Sequence, residues 1–432
     1  MNFHETSAQG LFEFPRGSPK SAFPTCATTM LVWIDGVSLK LILVLKKGEV
    51  DDVRSVGCLA GDSEKRFWSF DLECSSRLIC VFCERNEIPR EASDMMRNAG
   101  IAARYVLSRL WTRKPLILTH SVTSKCNCRC KICDVWRKKP NNDEMSTREI
   151  FRLLDEARDL NFVAYVAWGG EPLMRPDILE ILQHARDKKL YTIIITNGVY
   201  LPRKAERLAE LAELTLVSLD HHTDYHDEMR GVRGTFDKAV KGIATLRHMG
   251  GRAAINCVLS KLNIDDIERI TKLASRLGVS IAFDPMEVFQ GYNEAYSLSR
   301  GEVRRAFSEI SSLKRRGYPI LNSREYVDHS VNRVKYSCAQ PLIFVMVTED
   351  GEVKPFWCQR TRKVLGDLQN QSLGEVIDSR AFRQFSKIAK NCSLCGNSTT
   401  VETSIFYSTI RFFSNCYKWN NPYLRFISDY AL

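Results

Sequence analysis

The sequence predicts an α/β fold: a partial, TIM-like (β/α)6 barrel followed by a small cysteine-rich α+β extension. Three observations carry this. Between residues 115 and 295, six short apolar runs alternate with amphipathic runs of helical period. The apolar runs are nearly continuous, as in parallel strands covered by helices on both faces. Polar and cysteine-bearing motifs fall just after those runs, at the carboxyl ends where such barrels keep their chemistry.

The strand-like runs are 116–122, 162–168, 191–196, 214–219, 253–259 and 279–283. The helical runs between them are 147–160, 177–189, 203–213, 235–249 and 265–277. Ser146 with Glu149 forms a capping-box entry to the first helix. Ile178, Leu179, Ile181, Leu182 and Ala185 put an apolar stripe on the second. Right-handed crossovers curl such a sheet toward a barrel. Past it, residues 296–400 open with a helix at 300–316. A hairpin follows (344–347 and 352–353 about Asp350-Gly351), then a helical region at 373–387.

The chain has 432 residues, 44% of them hydrophobic and 26% charged, which is globular and large enough for more than one domain. No run reaches the roughly 18 apolar residues of a membrane span, and 39–45 is far too short. The N-terminus lacks a secretion signal, so a cytoplasmic location is expected. Fifteen cysteines then point to metal or redox chemistry.

The net charge of +11 is concentrated. Between Arg97 and Pro140 stand eleven Lys and Arg against one acid, Asp134, a local +10. A solvated basic face explains it plainly. An acidic electron carrier, a membrane surface or a phosphorylated substrate are the sharper accounts. Nucleic acid fits less well, because aromatics do not interleave with the basic residues. Residues 96–114 read as a basic amphipathic helix, with Ala103, Val106, Leu107 and Leu110 on one face. Packing on the barrel is favoured over a peripheral contact with a membrane.

Residues 1–95 are unassigned. Cys26, Cys58, Cys74, Cys80 and Cys83 form no ligand set there, and strand-like runs occur only at 39–45 and 78–82. The segment reads as disordered, or as a gene-model extension of a chain that starts at Met95 or Met96. Residues 401–432 are an aromatic-rich tail that caps the open barrel or lines an apolar channel.

The chemistry starts at Cys126, Cys130 and Cys133, in C-x3-C-x2-C spacing on the loop after the first strand. Three thiolates can hold three irons of a 4Fe–4S cluster and leave the fourth open to chelate a substrate. Zinc, the plainer alternative, wants four ligands. Cys128 is a surplus thiol, expected to point away. With Trp168-Gly169-Gly170-Glu171-Pro172 directly after the second strand, the sequence resembles the radical S-adenosylmethionine (SAM) enzymes.

The resemblance covers about two thirds of the chain. It implies a SAM-binding 4Fe–4S cluster on Cys126, Cys130 and Cys133, with Ile132 near the adenine. Gly169, Gly170, Glu171 and Pro172 then lie at SAM's amino group. Thr196, Asn197, Ser218, Asp220 and Asn256 supply ribose and carboxylate contacts, though each also reads as a strand-end polar residue. Arg230 and Arg233 either hold a carboxylate or solvate a loop.

Cys338, Cys358, Cys392 and Cys395 resemble the SPASM/Twitch extensions of the same enzymes, which implies an auxiliary 4Fe–4S cluster. Cys416 is the only cysteine beyond them, which matches the shorter form. A zinc ribbon on these four cysteines is the alternative.

The implied reaction is reductive SAM cleavage to a 5′-deoxyadenosyl radical, which abstracts hydrogen from an unactivated carbon. An external low-potential donor of flavodoxin or ferredoxin type feeds it. A peptide or a lipid/isoprenoid is the expected substrate. A zinc-stabilised binding module without radical chemistry is the alternative of another class.

Overall fold

The computed structural model describes residues 114–137, 143–288, 291–356 and 358–408, and the backbone of 27–35 and 38–46. The chain divides into two compact units, Met1–Ile88 with Leu432, and Pro89–Ala431. In the first, β1 (Ala27–Asp35) pairs antiparallel with β2 (Ser38–Lys46). The expected run at 39–45 lies within β2, whereas β1 was not anticipated. The run at 78–82, the basic helix at 96–114 up to residue 113, the tail beyond 408 and Cys26, Cys58, Cys74, Cys80, Cys83 and Cys416 lie outside the described residues.

The second unit is built on a parallel sheet of β3 (Ile117–Ser121), β4 (Ala164–Trp168), β5 (Tyr191–Thr196), β6 (Leu214–Ser218), β7 (Ala253–Leu259) and β8 (Ser280–Pro285). These pair in sequence order, all parallel. The intervening helices are α1 (Thr147–Asp159), α2 (Ile178–Asp187), α3 (Leu201–Leu211), α4 (Tyr225–Arg230), α5 (Thr235–His248) and α6 (Ile267–Arg276). Their apolar stripes cover the sheet. On α1, Ile150, Leu153, Leu154 and Ala157 are buried. Each large side chain of that kind contributes about 1.5–3 kcal/mol. Ser146 and Glu149 make the expected capping box.

The partial barrel does not close. Along the open edge of β8, the Phe283 N–H donates to Asn322 Oδ1 (2.7 Å) and Asn322 Nδ2 donates to the Phe283 carbonyl (3.0 Å). That amide satisfies edge groups that would otherwise recruit another strand.

The other edge was not anticipated. The expected hairpin, β9 (Phe344–Val347) and β10 (Glu352–Lys354), does not stand apart in the extension. β9 pairs parallel with β3, and β11 (Gly366–Asp367) completes a nine-stranded sheet in the order β11-β10-β9-β3-β4-β5-β6-β7-β8.

Around it lie α7 (Arg300–Arg315), α8 (Arg324–Asn332), α9 (Leu373–Ile377), α10 (Arg380–Lys390) and α11 (Ser398–Ser408). The single helical region expected at 373–387 is two helices. Ser372 caps one and Ser379 the other, so the chain turns between them. Asp284, just before the end of β8, caps α11 through the Ser398 N–H (2.6 Å) and Oγ–H (2.9 Å). No helix among the described residues is long and apolar enough to cross a membrane.

Candidate active site

The parallel strands all end on one side, and the cysteine loop (126–133) leaves β3 there. Its backbone is tied down along its length. The Gly170 N–H donates to Thr123 O (2.7 Å) and the Glu171 N–H to Lys125 O (2.8 Å), which fastens it to the loop after β4. Only glycine fits at 170: a Cβ there would lie 2.2 Å from Lys125 O. Gly169 has φ +132° and would meet Thr123 O at 2.6 Å. On the other side, the Arg129 and Lys131 N–H groups donate to Arg230 O (2.8 Å) and Met229 O (2.9 Å) at the end of α4. Tyr292 and Asn293 donate to the carbonyls of Cys130 (2.7 Å) and Ile132 (2.9 Å).

Two further groups that sequence reasoning missed brace the loop from below. Arg175 is buried, donates to Val122 O and Met145 O (both 2.8 Å), and ion-pairs with Asp177 at 2.8 Å. Glu144 Oε1 accepts from Thr123 Oγ1 (2.8 Å), Ser124 N (2.9 Å) and Ser124 Oγ (3.0 Å). An arginine two positions before Asp177 is the signal for the first. The second has none, since Glu144 reads as a loop carboxylate.

Cys126, Cys130 and Cys133 gather with Ile132 and Met286 in one small cluster. Cys128 does not point away, which corrects the expectation. Its thiol is buried and hydrogen-bonded to both Cys126 and Cys130. Those bonds hold both neighbours below the ordinary thiol range and push Cys128 well above it. The Arg230 guanidinium also lowers Cys130: its Nη1 lies 3.9 Å from Cys130 Sγ. Burial pushes Cys133 up to about 11. Two half-buried thiols and one buried one on a clamped loop, beside the Arg230 guanidinium, fit the donor set of an anionic thiolate-bound cluster.

The structure redistributes roles among the other expected residues. Glu171 is fully buried and its carboxylate is already engaged. It accepts from Leu173 N (3.0 Å), Thr196 Oγ1 (2.6 Å) and Asn197 N (2.7 Å), while burial raises its pKa. It locks the end of β4 to the end of β5. Asn197 Nδ2 donates to Asn127 Oδ1 at 2.7 Å, a direct tie to the cysteine loop. Asp220 is buried too. Its Oδ2 ion-pairs with Arg230 Nη2 at 2.6 Å and its Oδ1 accepts from Val258 N (2.9 Å). Arg230 is thus neither a loop cation in solvent nor a free carboxylate clamp. It bridges Asp220 and Cys130. Ser218 and Asn256 end β6 and lie in β7 at one level of the register, half-buried. Pro172 is buried in the turn after Glu171.

The four C-terminal cysteines also converge. Cys338 feels the charges of Cys395, Cys392 and Cys358, and burial pushes it up to about 12. The Cys338 N–H donates to Cys392 O (3.0 Å) and Tyr336 Oη to Cys395 O (3.0 Å).

A cavity of about 270 Å³ lies against both cysteine sites. Its lining includes Asp134 and Val135, next to Cys133 in sequence, and Gly169, together with Cys358, Lys354, Arg362, Glu287 and Glu349. Burial pushes Glu287 up to about 7.

The sequence matches the radical SAM superfamily over residues 120–274 and an iron–sulfur cluster-binding domain over residues 338–397. The AdoMet-dependent heme synthase of Nitratidesulfovibrio vulgaris is 32% identical over 308 residues, 65% of this chain and 83% of that protein. The Fe-coproporphyrin III synthase of Methanosarcina barkeri is 29% identical over 255 residues, 56% of this chain. The mycofactocin maturase MftC of Mycobacterium tuberculosis is 32% identical over 171 residues, 39% of this chain. The chain spans 62% of the Fe-coproporphyrin III synthase and 44% of the maturase. Streptococcus suis SuiB bound to S-adenosylmethionine shares the fold, with TM-score 0.56 and 17% identity, over 70% of this chain and 75% of that one.

This chain therefore belongs to the radical SAM superfamily of enzymes, with a C-terminal iron–sulfur extension. Its cofactors are a 4Fe–4S cluster with SAM and an auxiliary iron–sulfur cluster.

Proposed function

We propose that the protein cleaves SAM reductively and takes a hydrogen atom from an unactivated carbon of a peptide held between the two cysteine sites. The cavity whose lining includes Gly169, Val135 and Cys358 is the observation that carries this. When bound, the SAM-site cluster and SAM supply the one-electron cleavage and the hydrogen-abstracting radical. Cys126, Cys130 and Cys133 would hold that cluster, and Cys338, Cys358, Cys392 and Cys395 the auxiliary one.

The chain's own residues position and shield. The backbone at Gly169 and Gly170, with Ser218 and Asn256, is left to face SAM. Glu171, Thr196, Asn197 and Asp220 position those groups, because their polar atoms are already engaged. Ile132 gives an apolar surface beside the sulfurs. The cavity wall sets three carboxylates, Asp134, Glu287 and Glu349, against two cations, Lys354 and Arg362. That balance suits a zwitterionic peptide better than a carboxylate-rich tetrapyrrole. MftC, named a maturase, and SuiB, solved also with its precursor peptide SuiA, favour the same class. An external low-potential donor completes the scheme.

The test is anaerobic reconstitution with iron and sulfide, reduction by flavodoxin, and assay of 5′-deoxyadenosine with candidate substrates. A peptide from a neighbouring gene should stimulate its formation and gain an unsaturation or crosslink. Stimulation by an iron–porphyrin or an isoprenoid instead would overturn the peptide reading. No 5′-deoxyadenosine under any condition would overturn the radical reading as well.

A further inference from the structure

Three side chains outside the cysteine sites gather where β6 and β7 end. His221 and His222 directly follow Asp220, and Asp266 lies in the turn before α6. His221 Nε2 is 3.1 Å from Asp266 Oδ2, and His222 Nδ1 is 3.6 Å from Asp266 Oδ1. One ligand atom from each side chain can be chosen so that all three lie within 4.8 Å of one another. Zinc bound tetrahedrally at about 2.0–2.1 Å sets its ligand atoms about 3.3–3.4 Å apart. The 3.1 Å from His221 Nε2 to Asp266 Oδ2 is close to that value, and the 3.6 Å from His222 is to the other oxygen of the same carboxylate, Oδ1.

A second observation points the same way. His222 Nδ1 is buried and has no hydrogen-bond partner. It faces Asp266 Oδ1 at 3.6 Å, so it is a ring nitrogen that an ion beside the carboxylate could use as a ligand. The other ring is prepared as well. Here the His221 proton sits between Nε2 and Asp266, where an ion would bind. His221 Nδ1 accepts from the Thr223 N–H (3.2 Å) and lies 2.9 Å from Thr223 Oγ1; an ion at Nε2 moves the ring proton to Nδ1, where Thr223 Oγ1 accepts it and the N–H contact is given up. Arg269 Nη1 holds Asp266 Oδ1 at 2.7 Å. It orients the carboxylate and leaves Oδ2 for the ion, while its charge weakens binding. The side chains of His221, His222 and Asp266 are 9%, 22% and 17% exposed, so an ion can enter from solvent.

We propose that His221, His222 and Asp266 form a three-ligand zinc site, with water in the fourth position, that staples the end of β6 to the turn after β7. Imidazole and carboxylate donors in this number suit zinc. The staple fixes the residues next to Asp220, and hence the Asp220–Arg230 pair that faces Cys130. It does not depend on the substrate reading above.

The experiment uses the full chain reconstituted with iron and sulfide, so that the thiols are occupied. Zinc is added at buffered free concentrations. Bound metal is counted after gel filtration, and its ligand shell is read by zinc K-edge X-ray absorption. The expected result is one zinc per chain with nitrogen and oxygen neighbours only, at about 2.0–2.1 Å. His222→Ala and Asp266→Asn should weaken binding at least about tenfold at unchanged iron content, whereas Arg269→Gln should tighten it on the order of tenfold. A sulfur shell at about 2.3 Å, no bound zinc, or equal binding by wild type and His222→Ala overturns the site. Should His222→Ala fail to fold, the direction of the Arg269→Gln change decides: unchanged or weaker binding counts against the proposal.

Discussion

The two cysteine sites are built on opposite plans. The first takes all its thiols from eight consecutive residues and clamps that loop by backbone bonds from the loop after β4 and the end of α4, and by side chains at 292 and 293. Arg230 supplies a buried positive charge before any metal arrives. The second collects Cys338, Cys358, Cys392 and Cys395 from three separated segments, and burial raises Cys338 and Cys395. The difference teaches that one site is shaped by the fold, while the other needs its metal to make thiolates worth burying.

The sharpest way to break that comparison is Gly170→Ala. The added methyl meets Lys125 O, so the clamp must open. Iron should fall from about eight to about four per chain, given two 4Fe–4S clusters, and 5′-deoxyadenosine formation should vanish. Wild-type iron and activity in this variant would mean that the loop is not fold-shaped at all. Cys126→Ala should have the same two effects with the clamp intact.

Next in size is Cys392→Ala. It should also leave about four irons, but with SAM cleavage retained in the absence of substrate. Loss of that basal cleavage would show the two sites to be one cooperative unit.

Arg230→Met probes the built-in charge. It leaves Asp220 buried without its partner, a change that costs about 3–5 kcal/mol. A lower Tm should be accompanied by a more negative potential of the SAM-site cluster, read by EPR-monitored titration. Arg230→Lys should restore part of both. An unchanged potential would assign Arg230 to structure alone.

The smallest effect lies on α11, which follows the second site. Burial pushes the Glu402 carboxyl up to about 8, from an ordinary 4.5. The folded state therefore binds a proton the unfolded state gives up. Stability is complete below about 4.5 and declines as pH rises to about 8. Glu402→Gln stays neutral throughout. Its Tm should equal wild type near pH 5 and exceed it by a few degrees at pH 8, as followed by circular dichroism.

Much of the barrel was legible because its cues are local. Residues 191–196 and 253–259 are strands at the expected bounds, being apolar runs rich in β-branched residues between turns. The start of α9 was readable in Ser372-x-x-Glu375, a capping box that went unused, whereas the break before α10 has only Ser379 to mark it. α11 was not readable: Ser398-Thr399-Thr400-Val401 offers β-branched residues and no apolar stripe, and tertiary burial overrides that propensity. The motif positions were legible, but the use of their side chains was not. Nothing in the sequence tells that Asp220 faces Arg230, or that Cys128 turns inward, since both depend on chain segments meeting across the site.

The pairing of β9 with β3 has a consequence for how the chain is made. Thr119 Oγ1 donates to Val345 O (3.2 Å) across 226 positions. While the polypeptide is being synthesised, β3 emerges early and its outer edge stays open until residue 347 has left the ribosome. Contacts so distant in sequence form slowly, and an open apolar strand edge recruits other chains in the meantime. A truncation after α7 should therefore yield aggregates in place of a smaller barrel, and the nascent chain should depend on holding by chaperones until its final quarter appears.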